Sequence, residues 1–116
     1  MRQHKIHSLM QSILSLRAWE DAHLPLKQSA LAYDLLVLVV HSELSGTPIS
    51  IKQLFVTLKY SEAGIRKQIR RLLKEEWIKL EGIKVDKRVR VIMTQPKLLD
   101  AMTSYASVFE LITKVN

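Results

Sequence analysis

The sequence contains no cysteine, so it can build neither a disulfide framework nor a thiolate metal site. A secreted scaffold of this length leans on one or the other, and the expected compartment is the cytoplasm. Glycine is scarce: Gly46, Gly64 and Gly82 are the only three, and none stands in a phosphate-cradling cluster, a Walker loop or a nucleophile elbow. Neither an enzyme nor a cofactor is expected. Long apolar runs are missing too, since the longest, Leu35 to Val40, falls far short of the ~20 residues of a spanning helix. The N-terminal MRQHKIHS leads into a segment interrupted by Gln11 and Ser12 rather than into the apolar stretch of a secretion signal, so no membrane contact is expected. His4 and His7 with His23 suggest a metal site, but two of them lie in a frayed terminus without a matching acidic or cysteine partner, so none is expected, and His41 reads as a partly buried structural residue.

Acidic residues are also few, 11 against 18 Lys and Arg, for a net charge of +7. The excess is unevenly spread. Between Lys59 and Arg90 stand 11 basic and 5 acidic residues, whereas the rest of the chain is nearly balanced at 7 against 6. A solvated surface would account for scattered cations. Clustering points instead to a polyanionic partner, and above all to nucleic acid.

At 116 residues, 47% apolar and 25% charged, the chain is expected to fold as one domain over 1–116, with a core small enough to profit from a second copy. Ile6, Leu9, Met10, Ile13, Leu14 and Leu16 recur at helical spacing and predict a first helix over 5–20. Pro25 interrupts it. A second helix, over 26–44, is apolar on most sides and is expected to lie at the centre of the fold. Gly46 and Pro48 mark a loop with a short strand, and Ser50 with Gln53 forms a capping box that starts a helix of barely two turns.

Ser61 then caps SEAGIRKQIRRLLKEEW, a helix over 61–75 in which Ile65, Ile69, Leu72 and Leu73 share one side. Ala63, Lys67, Arg70, Arg71 and Lys74 project from the other, with Arg66 at the flank. Arg66 with Arg70, Lys67 with Arg71, and Arg70 with Lys74 are like-charge pairs at i,i+4, each costing about 0.2–0.5 kcal/mol in a lone helix. A bound anion would explain the crowding. Two helices joined by a short turn, the second basic on its outer side, make a helix-turn-helix whose second member suits a DNA major groove.

Beyond Trp77 the apolar period changes from 3.6 to 2, predicting a β-hairpin with Ile78, Leu80, Val89, Val91 and Met93 on the inner side and Ile92 outside it. Its tip, KVDK, lacks a tight-turn pair and is expected to be a longer, mobile loop, with Lys84, Lys87 and Arg88 at that end. Pro96 opens a last helix on which Leu98, Met102, Tyr105, Phe109 and Ile112 form a stripe spaced like a coiled coil. The expected fold class is mainly α with a small β-hairpin: a winged helix-turn-helix over 48–94 with long flanking helices in 1–24 and 95–116.

That order resembles the MarR family of bacterial transcription regulators. LPLKQSALAYDLLVLV is similar to the family's entry into its second helix, ISIKQLFVTLKYSEAGIRKQIRRL to its cap, short helix, turn and recognition helix, and VDKRVRVIMT to its wing, with Asp86, Arg88, Met93 and Thr94 at the pattern positions. The likeness covers about 24–94. This chain departs from the pattern with Lys59 and Glu76 where the family has Gly, Phe55 where it has a small residue, and one long C-terminal helix where two are common.

The resemblance implies a homodimer whose interface uses Ile6, Leu9 and Ile13 with Leu98, Met102, Tyr105, Phe109 and Ile112, and a repressor bound to double-stranded DNA. The helix over 61–75 would enter the major groove and the wing over 82–90 the minor groove. For base reading the residues favoured are Ala63, Arg66, Lys67 and Arg70; Ser61, Arg71, Lys74, Lys84, Lys87 and Arg90 complete the DNA face. Arg88 matches the wing arginine, oriented by Asp86, although two such residues can also form a plain solvent ion pair. The family also implies a small-molecule effector, for which Trp19, Tyr33, Trp77 and Tyr105 can line a pocket or simply fill the core. Two alternatives use the same features: a winged-helix protein-interaction module, and a replication or mobile-element accessory protein that binds DNA or RNA.

Overall fold

The computed structural model describes residues 2–83, 85–86 and 88–113. Five helices and one hairpin follow in the order α1 (Arg2–His23), α2 (Ala30–Leu44), α3 (Ile51–Thr57), α4 (Glu62–Lys74), β1 (Ile78–Gly82), β2 (Arg90–Thr94) and α5 (Pro96–Thr113). This is the winged helix-turn-helix with long flanking helices that the sequence predicts. α1 runs further than the expected 5–20 because nothing breaks it before Pro25. α2 starts later than expected. Lys27 and Gln28 adopt left-handed backbone angles, and Ser29 caps the helix by accepting a hydrogen bond from the Ala32 amide.

The core gathers around α2. Ala32, Leu35, Leu36 and Val39 of that helix are sealed by Leu54 of α3, Ile65, Ile69 and Leu72 of α4, Ile78 and Ile92 of the hairpin, and Leu98 of α5. Gly64 lets α4 approach α2 closely, since a β-carbon there would lie 3.2 Å from the Leu31 side chain and 3.0 Å from the Ser61 hydroxyl. The hairpin pairs Ile78 with Thr94 and Leu80 with Ile92, so the inner face holds Ile92 and not the expected Val89, Val91 and Met93. Thr94 sets that choice of face. Its amide and hydroxyl each donate at 2.7 Å to the Glu43 carboxylate of α2, which draws the alternate residues of β2 inward. The short strand expected before α3 is reduced to one bridge, Ser50 with Val91.

α4 ends in a Schellman arrangement, with the Glu76 amide donating to Leu73 and the Trp77 amide to Leu72. Glu76 sits there at φ 62°, the left-handed position that the family pattern fills with Gly. At Lys59, the other such position, the chain avoids left-handed angles altogether: Leu58 is extended and the turn runs straight into the Ser61 cap.

α1 and α5 project together from the body. They are antiparallel, since Trp19 and Glu20 meet Tyr105 while Ser8 to Ser15 face Leu111 and Ile112. The molecule measures 57 × 27 × 23 Å with a radius of gyration of 16.3 Å, against about 13 Å for a compact chain of this length. A left-handed residue other than glycine costs about 1 kcal/mol. Glu76→Gly should therefore raise the unfolding free energy by about that amount in urea titrations followed by circular dichroism; an unchanged midpoint would show that Glu76 is not strained.

Candidate nucleic-acid interface

Ser61 starts α4 by accepting the Gly64 amide at 3.0 Å, and the buried Ile65, Ile69 and Leu72 then fix the helix's rotation. Ala63, Arg66, Lys67, Arg70 and Lys74 are exposed as a consequence. Among the described residues, Lys67, Arg70 and Lys74 have no carboxylate within ion-pairing distance, so three cations are presented uncompensated on one helix face. Arg66 lies 4.0 Å from Glu62, a loose pair between two exposed side chains.

Arg71 does not join them. Its guanidinium donates to the Pro25 carbonyl at 2.7 Å, to Gln68 at 2.8 and 3.0 Å and to Glu75 at 3.4 Å, and its side chain is 18% exposed. It joins α4 to the segment between α1 and α2, a role the sequence hid because the Pro25 carbonyl is distant in the chain. Glu75 also takes Lys27 at 3.8 Å.

In the wing, Asp86 accepts from the Arg88 amide at 3.0 Å and from its Nε at 3.2 Å. This local bond aims a guanidinium that is otherwise in water, the Arg88 side chain being 91% exposed. Arg90 is exposed at the start of β2. Lys84 and Lys87 lie outside the described residues.

Three features around the face have no counterpart in the sequence pattern. Lys59 is exposed on the turn that leads into α4, while Lys52, exposed on α3, borders Ser42 and Thr47 at the far end of α2. Tyr60 ties that turn to α2 by donating to Asp34 at 2.7 Å, and this hydrogen bond holds its phenol above the ordinary range. The Phe55 ring, on α3, lies 4.7 Å beneath the Arg66 guanidinium.

The residues assigned to a dimer interface separate into two groups. Leu98 is fully buried in its own chain, and Tyr105 is engaged within it, hydrogen-bonded to Glu20 and, at 3.1 Å, to Tyr33, with its ring stacked on Trp19. Burial, reinforced by those hydrogen bonds, pushes the Tyr105 phenol far above its ordinary value. Neither residue is available to a second copy. Met102 and Ile112 are half-buried, while Ile6, Leu9, Ile13 and Phe109 stay exposed. Trp19, Tyr33 and Tyr105 form one cluster, but Trp77 lies elsewhere, under the Lys97 ammonium at 4.2 Å.

No protein-family model and no curated protein matches the sequence. Solved structures do match the fold. S. aureus MepR in its DNA complex aligns at a TM-score of 0.74 and 10% identity over 99% of this chain and 79% of that one. YusO of Bacillus subtilis aligns at 0.70 and 11% over 97% and 75%. BpsR of Bordetella bronchiseptica, whose DNA binding is regulated by 6-hydroxynicotinic acid, aligns at 0.59 and 16% over 94% and 76%. At such identities the likeness establishes a shared fold.

The two neighbouring arginines should behave oppositely in stability. Arg71→Ala removes a charged donor to a carbonyl and a carboxylate, and should cost about 1–3 kcal/mol, whereas exposed Arg70→Ala should change stability by less than about 0.5 kcal/mol. Equal melting temperatures for the two variants would contradict the assignment of Arg71 to the interior.

Proposed function

We propose that the chain is a dimeric MarR-like transcriptional regulator, most simply a repressor, that binds double-stranded DNA in a sequence-specific way. The observation that carries this reading is the exposed face of α4, where, among the described residues, Lys67, Arg70 and Lys74 stand without carboxylate partners beside Ala63 and Arg66. The fold it sits on is one that binds DNA in MepR. In that arrangement α4 lies in the major groove, Arg70 and Lys67 meet guanine O6 and N7, and Lys74 meets phosphate. Arg88, pre-aimed by Asp86, is suited to the narrow negative minor groove.

Duplex RNA is a poorer fit, because its deep, narrow major groove does not admit a helix. A protein-interaction module has no need of uncompensated cations on this face.

The dimer reading rests on α1. Glu20 is its one buried residue, and Ile6 and Leu9, each 53% exposed, stay open to solvent with Met10, Ile13 and Leu14. Phe109 and Leu111 of α5 are similarly bare, and a groove of about 590 Å³ lies between the two helices. A symmetric partner presenting the same helices would bury this surface and set two α4 helices about 34–36 Å apart along the duplex. A cleft of about 330 Å³ at the joint of α1 and α2, lined by Arg17, Glu20, Ser29 and Tyr33 among others, is where a small amphipathic effector fits best. Such control has a parallel in BpsR.

Binding should weaken with salt at a log–log slope of about −0.9 per phosphate neutralised. Arg70→Ala or Lys67→Ala should lose about 1–3 kcal/mol on a selected duplex and relax preference at one or two base pairs. Gel-shift titration showing wild-type affinity for both variants would remove α4 from the interface. For the dimer, Leu9→Asp combined with Phe109→Asp should halve the mass seen by light scattering, and retention of the wild-type mass would place the interface elsewhere.

A further inference from the structure

Arg66 stands at the edge of the cationic face, on the side turned to α3. Two groups contact its guanidinium: the Glu62 carboxylate at 4.0 Å and the Phe55 ring, whose centroid is 4.7 Å away. The carboxylate is a weak restraint, because both partners are more than half exposed and water screens the pair. The ring is the better one. Phe55 is half-buried between α3 and the start of α4, so its own position is set by packing, and it offers a flat electron-rich surface of the kind on which guanidinium groups stack.

Stacking has a directional consequence. A guanidinium lying on an aromatic ring has its face covered, while its N–H donors all point outward in the plane. Guanine O6 and N7 require a planar, two-pronged donor presented edge-on in the major groove. An exposed arginine on a helix would ordinarily have to freeze a flexible side chain to meet that requirement. Here a ring 4.7 Å from the guanidinium carbon narrows the orientations that the group has to search.

We propose that Phe55 is a positioning residue for DNA recognition: it holds the Arg66 guanidinium edge-on for a guanine in each half-site, and the pair together sets the preference at that base pair. This rests on the DNA-binding reading above.

The test uses the full-length protein and a duplex selected from a random pool, with every single base-pair variant of that duplex titrated at fixed salt. Phe55→Leu should lower discrimination for guanine at one position about five- to thirty-fold, while keeping the wild-type salt slope and affinity for random duplex. Phe55→Trp should restore discrimination. Arg66→Ala should lose the same preference together with part of the salt slope, and the double variant should lose no more discrimination than Arg66→Ala. In the unbound protein, ring-current shifts of the Arg66 side-chain protons should be present in the wild type and lost in Phe55→Leu. The inference is overturned if Phe55→Leu discriminates like the wild type, loses affinity evenly across all base pairs, or shows losses that multiply with those of Arg66→Ala. Absent ring-current shifts in the wild type would overturn it as well. A wild-type protein that binds no duplex overturns the DNA-binding reading along with this one, whereas a binding wild type with an indifferent Phe55→Leu overturns this one alone.

Discussion

Ile65, Ile69 and Leu72 hold α4 against the central helix α2, and the properties of the basic face follow from that seat. Burying each such side chain is worth about 1.5–3 kcal/mol, whereas each like-charge pair at i,i+4 on the opposite side costs about 0.2–0.5 kcal/mol. Packing wins comfortably. It can therefore impose on α4 a distribution of charge that the isolated helix would resist. The close approach at Gly64 and the abrupt stop at Glu76 and Trp77 then limit how far the helix can slide or lengthen.

Within this frame the cations have divided roles. Arg71 is committed to Pro25, Gln68 and Glu75, and Lys79 to Glu81 at 3.1 Å. Arg88 is aimed but still exposed, and among the described residues no carboxylate pairs with Lys67, Arg70 or Lys74. Counting basic residues along the chain overstates the cationic face, because a guanidinium hydrogen-bonded to its own backbone has few donors left to present outward. On α4 the side chains that remain, Lys67, Arg70 and Lys74, are exposed to solvent and share one helix face.

Elements governed by local chemistry were legible from the sequence. The Ser50 capping box, the Ser61 cap, the helical periods and the proline at the start of α5 all read correctly because each depends on residues within one turn. Errors arose where distant residues decide. The face of β2 is set by Glu43 of α2 gripping Thr94, and alternation alone gave the wrong side. Leu98 and Tyr105 fit a stripe on α5, but the first is taken by the core and the second by Glu20 and Tyr33 of other helices. The left-handed Lys27 and Gln28 carry no local signature, which is why the start of α2 was placed too early. For the candidate site, the face of α4 was readable from helical arithmetic. The attachment of Arg71 and the support of Arg66 by Phe55 were not, since both depend on how other segments cross α4.

The same crossings connect the projecting helices to the basic face. α1 enters the body through the buried Glu20, which Arg17 meets at 3.0 Å and Tyr105 also binds. The chain then passes directly through Pro25, whose carbonyl holds Arg71, and Lys27, which pairs with Glu75 at the end of α4. Exposed ion pairs contribute little, so Arg71 carries most of this attachment. A rotation of α1 against α2 that carried Pro25 along would have to break the Arg71–Pro25 hydrogen bond or move the C-terminal end of α4 with it. The α1–α2 joint and the C-terminal end of α4 therefore meet through one short covalent segment and one charged hydrogen bond.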